Sequence, residues 1–108
     1  MRKVEEQVIT AFLRGESARK GNTHTDGRTL FLHDNAIAMI DWVTNTVAVT
    51  MAGWGTVTTR SRLNALFSLA GIRARVGQSN HEQVMYMHDR KEPQYISNDE
   101  IIVLPLGE

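Results

Sequence analysis

Apolar residues at Val4, Val8, Ile9, Phe12 and Leu13 recur at helical spacing, with Glu5, Glu6, Gln7, Thr10 and Arg14 mostly between them. This pattern predicts an amphipathic helix of about three turns, stopped at Gly15, with the polar run Glu16 to Gly21 as a loop. The apolar period then shortens to two: Val47, Val49 and Met51 alternate with Thr46, Ala48 and Thr50, as in a half-buried strand. Turn-forming pairs stand at Asp26-Gly27, Asp34-Asn35 and Thr44-Asn45. Their close spacing predicts an antiparallel meander over Thr29 to His33, Ala36 to Trp42 and Thr46 to Ala52, because these residue types tolerate the positive φ of tight hairpins. Asn22 to Thr25 reads as a polar edge strand ahead of it.

After Gly53-Trp54-Gly55, the residues Thr56, Thr58 and Thr59 each qualify as the N-cap of a second helix, and Leu63, Leu66, Phe67 and Ala70 make its apolar stripe. Gly71 ends that helix. With Gly71 in a left-handed conformation, Ile72 and Phe67 would form the apolar contact of a Schellman motif. Ile72, Ala74 and Val76 then alternate with Arg73 and Arg75 as a strand, with Gln83 to His88 as hairpin partner across a loop containing Gly77, Ser79 and Asn80. A short segment over Gln94 to Ser97 follows the Lys91-Glu92-Pro93 break, and Ile101 to Leu104 is a last strand ended by Pro105. The expected fold is α+β over residues 1–108 as one domain: a small antiparallel sheet, meander plus C-terminal strands, packed against two helices in the order α-β(β)ββ-α-ββ-β.

Composition narrows the class. At 108 residues, with ordinary hydrophobic content and no cysteine, the chain is expected to be a soluble cytoplasmic domain without disulfides, thiolate metal sites or a cysteine nucleophile. No apolar run approaches the roughly 18 residues a membrane span needs, so no membrane partner is expected. Twelve basic and twelve acidic residues cancel overall but not locally. Residues 42–81 carry Arg60, Arg62, Arg73 and Arg75 with no acid, a net of +4, while residues 82–108 carry six acids against Arg90 and Lys91, a net of −4.

Little of this is reactive. The histidines His24, His33, His81 and His88 form no metal-ligand spacing, no serine stands in a nucleophile elbow, and the glycines form neither a phosphate loop nor a dinucleotide fingerprint. No catalytic residue, metal or cofactor is assigned. Trp54, between two glycines, either seals the end of the core, its more ordinary role, or stands out as an anchor for a partner; Trp42 carries the same ambiguity. At about 100° per residue from Leu63, Arg60 lies near +60° and Arg62 near −100°, flanking opposite sides of the second helix. Arg73 and Arg75 share a strand face. That face is either solvated, paired with the acidic tail, or part of an anion site with one flanking arginine. Ser61, Ala65 and Ser68 fall outermost on the helix, with Leu69 beside them, and small residues there allow close approach of a second copy or of the first helix.

The runs Asn22-Thr23-His24-Thr25-Asp26-Gly27, Leu30-Phe31-Leu32-His33-Asp34-Asn35-Ala36-Ile37-Ala38 and Ala52 to Asn64 resemble a family of small proteins of tailed bacteriophages. The resemblance spans roughly Val4 to Leu66. It implies a viral origin and a place in the infected bacterium, and it brings neither an activity nor functional residues. The function expected is a non-enzymatic binding protein that occupies a surface of a host or phage macromolecule. A weak nucleic-acid binder using Arg60, Arg73, Arg75 and Trp54, and a small hydrolase with a spatially assembled site, are the alternatives.

Overall fold

The computed structural model describes residues 3–106, with side chains described from Glu6 onward. Helix α1 (Lys3–Leu13) is followed by strands β1 (Ser17–Lys20), β2 (Thr23–Asp26), β3 (Thr29–Leu32), β4 (Asn35–Asp41) and β5 (Thr46–Val49). Helix α2 (Val57–Ala70) precedes β6 (Ala74–Ser79), β7 (Glu82–Met87), β8 (Gln94–Ile96) and β9 (Ile102–Pro105). The α+β class and the two helices stand as the sequence predicts; Val4, expected on the apolar face of α1, has its side chain outside the described residues.

The C-terminal strands do not all join the meander. Instead there are two antiparallel sheets, a long one in the order β1-β2-β3-β4-β5-β9 and a short one in the order β6-β7-β8. Helix α1 packs on β1 and β2 and against α2, while α2 also contacts β6. The helix thus separates the two sheets, and only β9 returns to pair with β5, Val47 opposite Leu104. Asn64 and Pro105 stand at the β6 and β9 edges and end the pairing there. Asn64 of α2 donates to Val76 O at 2.9 Å and accepts from Val76 N at 2.8 Å, so it occupies the outer edge of β6 as another strand would. At the other open edge Leu106 N donates to Asn45 O, and the antiparallel alternation leaves the nitrogen of Pro105 facing away from β5. An imide with no N–H there blunts further pairing.

Segment Ser17–Lys20, expected as loop, is the edge strand, and Thr23–Asp26 is interior to the sheet. Strand β1 is solvated except at Ala18, so it carries no apolar alternation to read. The threonines of β2 face the core with their hydroxyls satisfied: Thr25 donates to Thr29 O at 2.7 Å, and Thr23 donates to Asn22 Oδ1 at 2.9 Å. A β-bulge in β4 puts Leu30 opposite Ala38 and Phe31 opposite Ala36, so that consecutive residues Ile37 and Ala38 are both buried. Two hairpins are tighter than expected. Positive φ falls on His33 and Asp34, and on Asn80 and His81, so Asn35 belongs to β4 and both Gly77 and Ser79 belong to β6.

The helix ends follow local chemistry. Thr56 is the N-cap of α2, its hydroxyl accepting from Thr59 N at 3.2 Å, and Gly71 at φ 71° closes it with Ile72 N donating to Phe67 O at 2.9 Å. In the β2–β3 turn, Asp26 Oδ1 accepts from Arg28 N and Thr29 N, which holds its carboxyl below the usual range. A carboxylate whose folded pKa is lowered stabilises the fold above about 3.8, its unfolded value, and that contribution is lost as pH falls through the folded pKa. Acid titration of the melting temperature should therefore show a small limb below about pH 4 that Asp26→Asn removes.

Candidate functional site

A partly enclosed concavity lies where the start of α2 meets the β3–β4 hairpin. Its volume is about 330 Å³, with Leu32, Ile37 and Met51 contributing apolar surface and Thr56, Thr58, Thr59, His33 and Asn35 contributing polar groups. Trp54 lines one side and remains 59% exposed. The core-sealing role expected for this indole is therefore corrected: Phe67, Leu66 and Met51 already fill the interior, and the ring is left at the surface. Trp42, 52% exposed beside the β4–β5 turn, is likewise outside the core.

Residues remote in sequence hold the Trp54 loop. Gly53 N donates to Asn98 O at 2.8 Å, and Trp54 N donates to Met51 O at 2.9 Å. Arg60 Nη1 donates both to Gly55 O at 3.0 Å and to Gln83 Oε1 at 2.9 Å, linking the loop to α2 and to β7. A Cβ at Gly55 would sit 2.5 Å from both Asn98 Oδ1 and Gln83 Nε2, so the ends of these two side chains would have to move to admit it. The indole is thus carried on a loop pinned from three directions, which lowers the entropy lost on binding.

The cleft presents three threonine hydroxyls, two of which pair with each other. Thr56 and Thr59 share a hydrogen bond of 3.0 Å, and Thr56 also caps the helix. Among the described residues, none of the cleft hydroxyls is hydrogen-bonded to a histidine or carboxylate, and no cluster of three or more potential metal ligands is present. The arrangement suits adsorption of an apolar group next to an aromatic ring, with the threonines and the first-turn N–H groups of α2 for orientation.

The candidate arginines are not one cluster. Arg60 clamps the Trp54 loop. Arg62, expected to flank the helix at the surface, is only 3% exposed, with Nε donating to Thr23 Oγ1 at 2.9 Å and Nη2 to Asn22 Oδ1 at 3.2 Å. It points inward because the meander wraps that side of α2. Arg73 and Arg75 are exposed on the short sheet, beside His88 at 3.2 Å and over the Tyr86 ring at 4.7 Å respectively. Of the tail acids, Asp99 accepts from the Ser97 hydroxyl and Glu100 from Ser97 N, Asp89 lines a concavity together with Arg73 and His88, and Glu108 lies outside the described residues. On the small-residue face of α2, Ala65 is buried at 5% exposure, Ser61 is half-buried and engaged, and Ser68 and Leu69 are exposed, while α1, one of the two partners expected for this helix, does pack against α2. Sequence reasoning missed Gln83 and Asn98, whose part in positioning Trp54 depends on the second sheet folding back over the loop.

No helix among the described residues is long and apolar enough to cross a membrane. No curated protein and no solved structure matches the chain. The family described as Kyanoviridae Gp96 protein matches residues 1–102, extending the likeness well past the second helix and through most of the acidic C-terminal segment. By that match over nearly its whole length, the chain belongs to the Kyanoviridae Gp96 family of tailed-phage proteins.

Proposed function

We propose that this is a non-enzymatic binding protein, a phage accessory factor that occupies a surface of a host or phage macromolecule in the cytoplasm of the infected cell. The observation supporting it is the exposed indole of Trp54, carried on a hydrogen-bonded loop beside a preformed, largely apolar cleft. A volume of about 330 Å³ is at the small end for a whole metabolite and suits one or two side chains of a protein partner. Interfaces concentrate their energy in aromatic anchors of this kind. Nucleic-acid binding through Trp54 and Arg60 loses its footing, since Arg60 is committed to the loop.

Affinity capture from infected cells, run in parallel with wild-type protein and Trp54→Ala, tests this. A single macromolecule should be retained by the wild type and lost by the variant, with an affinity drop of about 30-fold or more, as hot-spot truncations give. Because the ring is mostly solvent-exposed, the melting temperature should stay nearly unchanged. Equal retention by both proteins would overturn the proposal, as would recovery of the bait alone.

A further inference from the structure

We propose that the outer face of the short sheet is a weak binding platform for single-stranded nucleic acid, with Arg73 and Arg75 meeting phosphates and Tyr86 and Tyr95 meeting bases. Strand register brings these residues together. Arg75 pairs with Tyr86, Gly77 with Val84, and Val84 in turn with Tyr95, so all five stand on one side of the sheet while Val76, Met85 and Ile96 point into the core. His88 N donates to Arg73 O at 3.0 Å, continuing the same row pattern to the end of the sheet.

The face is built rather than merely solvated. The Arg75 guanidinium lies 4.7 Å from the centroid of the Tyr86 ring. That ring leans over Gly77, where a Cβ would come within 3.1 Å of it, so the tyrosine lies low across the strands. Val84 is on this face yet fully buried, which requires neighbouring side chains to cover it, and the two tyrosines flank it. Tyr95 remains 55% exposed. Tyr86 and Tyr95 are diagonal neighbours, within reach of two adjacent unstacked bases.

Charge selects the occupant. With Arg60 clamping the Trp54 loop and Arg62 buried, the exposed cations of the middle third are Arg73 and Arg75, and the acids nearby are Glu82 at the far turn of this face and Asp89, which lines a concavity with Arg73 and His88. Guanidinium groups interleaved with rings match a phosphate backbone carrying free bases, whereas a duplex hides its base faces and an acidic protein surface gives the rings no stacking partner.

Fluorescence anisotropy of the full chain with a labelled oligothymidine of about twelve nucleotides reads the proposal directly. Two phosphate contacts predict an affinity that falls about sevenfold between 50 and 200 mM salt. Tyr95→Ala and Arg75→Gln, each checked to be folded at the assay temperature, should weaken binding about fivefold or more, whereas Arg19→Gln, the same charge loss on β1 of the other sheet, should leave it unaltered. Four results would each overturn the platform: no binding at about 1 mM protein, equal affinity for duplex, indifference to both face variants, or displacement of the oligonucleotide by an acidic peptide at matched charge. None of these bears on the Trp54 cleft, whose test uses a different surface.

Discussion

Gly27→Ala is expected to destabilise the protein by about 3 kcal/mol or more, read as a shift of the urea midpoint at unchanged slope. Two costs combine. Gly27 has φ 92°, a conformation that L residues rarely adopt, which alone costs about 1–3 kcal/mol. In addition, a Cβ at Gly27 would lie 2.6 Å from Gly15 O, 2.8 Å from Gly15 C and 3.2 Å from Glu16 N. These are backbone atoms, and neither side can yield cheaply. The α1–β1 turn is fixed by Gly15 N donating to Phe12 O and Glu16 N to Ala11 O, and the β2–β3 turn by the Asp26 bonds together with Gly27 N donating to Thr25 Oγ1. Gly21→Ala is the control, since φ there is 60° and nothing lies within 4 Å of the added carbon. It should cost about 1–2 kcal/mol. Equal losses at the two sites would mean that conformational strain accounts for both and that the contact of the two turns contributes nothing.

The same pair of turns shows where sequence is legible and where it stops. Gly15 as a helix end and Asp26-Gly27 as a hairpin turn are each local statements, and each follows from the residues around it. Their meeting is a consequence of sheet geometry that no short window contains. Helix α2 is the most legible element, because its cap, apolar stripe and Schellman closure at Phe67, Gly71 and Ile72 are all encoded within a few residues. Strand β1 is the least legible: an edge strand with only Ala18 turned toward the core leaves no alternation. The division into two sheets depends on Asn64 imitating a strand along β6, and an asparagine on a helix looks the same in sequence whether it meets water or a backbone edge.

The candidate site divides in the same manner. Flanking glycines mark Trp54 as unusual, and the ring does line a cleft. Its exposure turns on what else fills the core, and the rigidity of its loop turns on Gln83 and Asn98, which lie far along the chain. That Tyr86 and Tyr95 join Arg75 on one face is decided by strand register, which the sequence leaves open.

Arg62→Ala should cost about 2–5 kcal/mol, as truncation of a large, buried and hydrogen-bonded side chain does. The side chain fills space between α2 and β2 and donates to Thr23 Oγ1 and Asn22 Oδ1, so truncation both opens a cavity and strips charged donors from acceptors inside the fold. Arg62→Met keeps most of the stem and should recover part of that loss, which separates packing from hydrogen bonding. A cycle pairing Arg62→Met with Thr23→Val should show a coupling of about 0.5–3 kcal/mol, the range for residues in direct contact. A loss below about 1 kcal/mol for Arg62→Ala would instead mark a surface side chain. The outcome also decides how the +4 middle third should be read. If Arg62 holds the interior together and Arg60 holds the Trp54 loop, half of that charge is structural, and the field available to a polyanion comes down to Arg73 and Arg75. Two exposed cations can support only weak, moderately salt-sensitive binding.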